Sequence, residues 1–277
     1  MRLPKTSRSY PAETEEIVVG RGDYVIGGAR SPAFLDLDGA RHRRPVIFGE
    51  VFETLEGYHE SAASMFSGRQ NDIEEWAVMW KELGADGVCL RLNAGGSADL
   101  VKRIADRTRL PIMVSAGTDV LMETAKAVTD SVLILKCSDR EQSLALSDPS
   151  IDHVIVARCD GEEDPKELCK AMREKGAKRI AVDLGDGTMD SLKMLRSRIS
   201  GYRLDGLNGI EDSQHTILCD VSPSWDQCSD DVTARRASMH EATIALAAMM
   251  SGADILVMKG PGAADMARTY GEELADL

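Results

Sequence analysis

Residues 71–117, NDIEEWAVMWKELGADGVCLRLNAGGSADLVKRIADRTRLPIMVSAG, decide the fold. An amphipathic helix comes first, with Ile73, Trp76, Ala77, Trp80 and Leu83 on one face at helical spacing. DGVCLRL follows as an apolar run of buried-strand length, then a second helix, ADLVKRIADRT, and a second apolar run, LPIMVSA. Neither run alternates apolar with polar residues. Such strands are covered on both faces, as in a parallel sheet clothed by helices.

The rhythm extends both ways. Upstream stands the strand VIFGEVF; downstream the strands SVLILKC, DHVIVARC, KRIAVDLG and DILVMKG alternate with helices. The helix before the last strand, ARRASMHEATIALAAMMSG, is long, and Gly252 is its expected C-terminal stop. One more strand is needed, and either YRLDGLNG or TILCDVS can supply it. Eight βα units in 277 residues, with no GxGxxG after the first strand, predict a closed (β/α)8 TIM barrel over residues 46–277 rather than a doubly wound sheet. Residues 1–45 form an N-terminal extension, in which EIVVGRGDYVIGG reads as a β-hairpin about Gly20-Arg21-Gly22-Asp23. The basic cluster from Arg41 to Arg44 reads as a solvated loop.

Composition narrows the partners. With 46 acidic and 33 basic residues the net charge is −13, a surface that repels nucleic acid and anionic membranes. No apolar run reaches the roughly 18 residues of a membrane span, and no signal core opens the chain, so a soluble, cytoplasmic protein is expected. Six cysteines form no CxxC pair and read as core residues; the five histidines are scattered, and no metal site is expected.

Barrel chemistry gathers where strands end. The residues falling there are Glu50, Arg91, Asn93, Ser115, Gly117, Lys136, Arg158, Asp183, Gly185, Gly187, Asn208, Lys259, Gly260 and Gly262. A desolvated Lys136 or Lys259 suits a Schiff base; alternatively each pairs with an acid such as Glu50 or Asp183. Asp183, Asn93 and Asn208 are the residue types that hold a pterin ring by paired hydrogen bonds. The glycine loops AGGS (94–97) and GDG (185–187) precede helices, where backbone N–H groups can meet a phosphate. KGPG (259–262) lacks the Gly-Lys-Ser/Thr of a Walker loop. It is either a phosphate site after the last strand or a tight exit with Pro261 opening the helix.

Three stretches carry a family likeness: RRASMHEATIALAAMMSGADILVMKGPGAADMAR, VVGRGDYVIGGARSPAFLDLDGARHRRPVIFGEVFE and KELGADGVCLRL. Together they resemble the small (delta) subunit of the corrinoid iron–sulfur protein of the acetyl-CoA decarbonylase/synthase system, over about residues 17–272. Where that family usually has an Arg-His-Pro-like turn, this chain has Lys259-Gly260-Pro261, and its glycine-rich stretch after the sixth strand is shortened to VDLGDGTMD.

The resemblance implies a TIM barrel that pairs with a large (gamma) subunit carrying the corrinoid (cobalamin) and the iron–sulfur cluster. It implies no cluster in this chain and no catalytic residue of its own. A pterin methyltransferase and acetyl-CoA synthase would be transient partners. The barrel top, with Asn93, Ser115, Gly117, Lys136, Arg158, Asp183, Asn208, Lys259 and Gly260, would face the corrinoid and shield it during methyl transfer. Two other readings stand beside it: a free-standing pterin-dependent methyltransferase, and a lysine-dependent aldolase-like enzyme.

Overall fold

The computed structural model describes residues 9–35, 43–56, 58–93, 96–161, 163–229 and 232–275. A hairpin of β1 (Glu16–Val19) and β2 (Tyr24–Gly27) precedes eight parallel strands. These are β3 (Val46–Phe52), β4 (Gly87–Arg91), β5 (Ile112–Ser115), β6 (Ile134–Lys136), β7 (Val154–Arg158), β8 (Arg179–Asp183), β9 (Thr216–Asp220) and β10 (Ile255–Met258). They close in sequence order, β10 pairing β3 with Ile255 opposite Val46. The barrel is complete.

Helices cover its outside: α1 (Glu60–Ala63), α2 (Ile73–Glu82), α3 (Ala98–Thr108), α4 (Thr118–Ala127), α5 (Arg140–Leu146), α6 (Pro165–Lys175), α7 (Leu192–Leu207), α8 (Ala234–Ser251) and α9 (Pro261–Ala275). Several of their starts are capped by side chains. Ser97 accepts from Leu100 N, Asp139 from Gln142 N and Thr233 from Arg236 N; Asp164 caps α6, with Pro165 in its first turn. Gly252 ends α8 in the left-handed conformation, φ 114°, as the sequence predicts.

The ambiguous segment resolves in favour of TILCDVS, whose first five residues are β9. YRLDGL is instead the second half of α7, because Leu195, Ile199, Tyr202 and Gly206 form one buried helical stripe. Leu83 departs from its predicted place on the buried face of α2. It is the C-cap and is 38% exposed, while Trp76, Ala77 and Trp80 are fully buried.

Inside the barrel, Phe48, Cys89, Met113, Ile134, Val154, Val156, Ala181, Leu218, Ile255 and Val257 pack into one cluster. Ile17, Val19 and Ile26 of the hairpin belong to the same cluster. Gly20 exchanges backbone hydrogen bonds with Val132, just ahead of β6, so the hairpin stops the end of the barrel where strands begin. Arg41 and His42 of the predicted basic loop lie outside the described residues. Arg44 is not solvated as expected: it clamps Asp86 with two hydrogen bonds of 2.8 and 2.7 Å, and Asp86 also accepts from Ile47 N.

Candidate functional site

Strand residues two apart share a face, so the residue two beyond each interior apolar side chain also points into the barrel. At the end where the strands finish, that residue is polar on every strand. β3 supplies Glu50, β4 Arg91, β5 Ser115, β6 Lys136, β7 Arg158, β8 Asp183 and β9 Asp220; Lys259 follows β10 directly. Four cations and three carboxylates thus lie in one layer, and all but Arg91 and Ser115 are buried.

They are paired across the lumen. Arg91 donates to Glu50 Oε1 through Nε (2.8 Å), to Ser115 Oγ (3.1 Å) and to Asp220 Oδ2 (2.5 Å). Lys136 Nζ lies 3.1 Å from Asp220 and 3.7 Å from Asp183. Arg158 reaches Asp183 and Asp186 at 3.0 Å and Asp160 at 2.7 Å. Ser222, just past β9, donates to Asp220 Oδ1 (2.8 Å) and to Glu50 Oε1 (3.0 Å). Lys259 Nζ sits 3.2 Å from Asp226 and 3.9 Å from Glu50, over the rings of Tyr58 and Phe52.

This geometry sets the protonation states. Burial alone would raise the Asp220 pKa, but Arg91 and Lys136 outweigh it and hold the carboxyl below the usual carboxylate range. Burial would likewise deprotonate Lys136, yet Asp220 and Asp183 keep its pKa above the ordinary lysine value. A lysine so held is an ammonium, not a nucleophile. The second alternative for the lysines, pairing with acids, is therefore what the structure contains.

The KGPG turn has the same character. Lys259 N and Gly260 N donate to the two oxygens of Glu241, at 2.6 and 2.9 Å, and Trp225 Nε1 donates to the second oxygen at 2.7 Å. The amides that might have cradled a phosphate hold an internal carboxyl group. A Cβ on Gly260 would sit 2.7 Å from the Trp225 ring and 2.8 Å from Glu241, so only glycine fits. Pro261 opens α9, and KGPG is a tight strand exit. Burial raises the Glu241 pKa to about 8 against the pull of its three N–H donors.

The other predicted residues divide. Asn93 is exposed and turns toward the loop after β3: its N donates to Glu53 (2.7 Å) and its Nδ2 to Thr54 (3.3 Å). Gly117 is the exposed N-cap of α4, and a Cβ there would meet open space. Gly185 N donates to Asp183 Oδ1, and Gly187 N to the Asp220 carbonyl, which ties the β8 loop to β9. Ala94 and Gly95 lie outside the described residues.

Asn208 is a correction. It caps the C-terminus of α7, at the opposite end of the barrel, and its side chain returns to Leu204 O. A place at the top requires YRLDGLNG to be a strand, and that segment is helix. Asn93, Asp183 and Asn208 therefore do not converge on a pterin.

Asp220, Ser222, Asp226 and Glu241 belong to the site although the sequence reading does not single them out. Choosing TILCDVS as the strand would have put Asp220 at its end. Glu241 is the one acid in α8, and its i, i+3, i+4 relation to Ser238 and Ala237 already places it on the buried stripe. Among the described residues no group of three or more His, Cys, Asp or Glu is arranged to hold a metal, and no helix is long and apolar enough to cross a membrane.

No family model and no curated protein sequence matches the chain. Solved structures do. Dihydropteroate synthase from Thermus thermophilus, in complex with 4-aminobenzoate, shares 16% identity over 98% of this chain and 99% of that one, with a TM-score of 0.56. The Burkholderia cenocepacia enzyme gives 14%, 95%, 98% and 0.60, and the Stenotrophomonas maltophilia enzyme 17%, 88%, 98% and 0.57. At these identities the likeness is one of architecture: the chain is a closed eight-stranded barrel with the fold of the dihydropteroate synthases.

Proposed function

We propose that the chain is the small subunit of a corrinoid iron–sulfur protein. It would pair with a larger subunit carrying the corrinoid and the cluster. It would shield the corrinoid while a methyl group passes between a methylated pterin and the acetyl-CoA synthase/decarbonylase site. The observation that carries the reading is the neutralised polar layer at the end of the barrel. Its lysines are salt-bridged and its carboxylates are spent on cations. Within the layer only Glu50 Oε2 is buried without a hydrogen bond, 3.9 Å from Lys259 Nζ, and the other groups are held by their partners rather than offered to a substrate. The layer suits a rigid floor.

Above that floor the rim is acceptor-rich. Asp160, Asp186 and Asp226 are 58%, 47% and 62% exposed at their side chains, and Asn93 is exposed after β4. Such groups fit a ring bearing amide arms, each arm a hydrogen-bond donor. The bound corrinoid supplies the methyl-carrying cobalt, whose reduced form is a strong nucleophile. This chain's part is to exclude water from it. The second reading, a pterin-dependent methyltransferase, is favoured by the likeness to dihydropteroate synthases, but Asp183 would have to leave Arg158 to meet a pterin.

The test is anaerobic purification of the tagged full chain from its native cells, with a visible spectrum of the product. Recovery with a larger chain showing corrinoid and iron–sulfur absorption is expected. A colourless protein eluting alone would sink the subunit reading.

A further inference from the structure

A cavity lies at the foot of the barrel, the end opposite the polar layer. It sits where strands begin, between the segment after β2, the start of β3 and the end of α8. Phe34 and Met249 supply apolar wall; Arg43, Arg44, Arg203 and Asp254 supply charge. Its volume is about 40 Å³. At roughly 10–15 Å³ for each water-sized occupant, that is room for about three heavy atoms.

Arg203 is the group that this space leaves unsatisfied. It is 2% exposed, on the buried stripe of α7, and its guanidinium is always charged. Gly252 lets the end of α8 close over it, since a Cβ there would stand 3.2 Å from Arg203 Cγ. Nη2 donates to the Gly252 carbonyl (2.7 Å) and to Asp254 Oδ2 (2.5 Å). Nη1 is buried and makes no hydrogen bond. A buried charged donor without an acceptor is costly, and a fold keeps one where something other than protein supplies the acceptor.

The other charges of the wall do not fill that role. Asp254 Oδ2 is already shared between Arg203 and Ile217 N. Arg44 is held by Asp86. Arg43 spends only Nη1, on Glu16 and the Gly27 carbonyl, and keeps Nε and Nη2. The unspent groups of the arginines are donors of charge-assisted hydrogen bonds, so the occupant they select is a negatively charged acceptor. Phe34 stands beside them at φ 57°, a conformation that bulky residues rarely take and that clusters at ligand clamps.

We propose that this cavity binds the carboxylate head of a small organic acid, fixed by Arg203 Nη1, with the tail of the acid against Phe34 and Met249. A carboxylate has three heavy atoms and presents planar acceptors to a planar guanidinium; a phosphate has five and overfills the space. The foot of a barrel serves stability rather than catalysis. The acid is therefore an effector that ties the segment after β2 to α7 and α8. The assignment is independent of the subunit reading.

The test is isothermal titration and thermal melting of the full chain, at constant ionic strength, with propionate, its neutral isostere propionamide and inorganic phosphate. Propionate is expected to bind saturably with a Kd of ~0.1–10 mM. At ten times that concentration it should raise Tm by ~3–6 °C. Propionamide in place of propionate, or Arg203→Gln in place of wild type, should weaken binding at least ~10-fold. Arg43→Gln, at an exposed residue, should weaken it ~2–5-fold, and decides the matter should Arg203→Gln fail to fold. Arg196→Gln, elsewhere on α7, should stay within about twofold of wild type.

No saturable effect of propionate, or one that both Arg203→Gln and Arg43→Gln leave at wild-type strength, overturns the site and leaves the cavity to water. Phosphate or propionamide binding as tightly as propionate overturns the carboxylate.

Discussion

Asp220 is the hinge of the polar layer. Its carboxylate lies between Arg91 and Lys136 and also takes a hydrogen bond from Ser222. Asp220→Asn leaves the buried Lys136 and the half-buried Arg91 facing a neutral amide, and should cost ~3–5 kcal/mol in urea unfolding. Ser115→Ala, which removes one hydroxyl acceptor from the Arg91 fork, should cost under ~1.5 kcal/mol. Glu241 makes the opposite electrostatic prediction. Its pKa is raised to about 8 in the fold, so between the ordinary carboxyl value and pH 8 the native state binds a proton that the unfolded chain releases. Stability from this group is therefore full in acid and falls by ~1.4 kcal/mol per pH unit through that window. Glu241→Gln should abolish that slope in denaturation curves taken from pH 5 to 8. Asp220, with its depressed pKa, contributes above the ordinary Asp value and loses that contribution only as pH falls well below it.

At the scale of elements, α8 shows how local rules are obeyed at one end and broken at the other. Gly252 takes a left-handed φ of 114°, and a Cβ there would stand 3.2 Å from Arg203 Cγ. Gly252→Ala should cost ~1–2 kcal/mol, whereas Gly117→Ala, at φ −62° with open space beyond, should be within ~0.5 kcal/mol of wild type. At the other end, Arg235→Glu should raise the stability of the free chain by ~0.3–1 kcal/mol, because it restores acid to a helix start. A melting curve that instead falls by that much would mean Arg235 has a structural role. Most elements were legible in the sequence, since non-alternating apolar runs and capped amphipathic helices obey strong local rules. The α7–β9 stretch was not. YRLDGLNG and TILCDVS are both short and mixed, and only the burial of Tyr202 and Gly206 on the stripe of Leu195 and Ile199 separates them.

Across the whole molecule, the barrel could be read from the count of βα units, and strand-end position picked out Glu50, Arg91, Ser115, Lys136, Arg158, Asp183 and Lys259, which do share one layer. Pairing within that layer was beyond the sequence, because contacts such as Arg91 to Asp220 join residues 129 apart across the lumen. Asn208 went astray for the same reason, its end of the barrel depending on one strand assignment. The pairing is also what separates the two functional readings. On the proposed subunit reading the paired layer is a floor beneath a partner's cofactor, whereas the pterin-enzyme reading requires Asp183 and Lys136 to leave their partners. Isothermal titration of the isolated full chain with a methylated tetrahydropterin tests this most directly. The account predicts no saturable heat and no methyl transfer to added free corrinoid. Saturable binding that Asp183→Asn abolishes would contradict it, and would make the barrel a pterin enzyme.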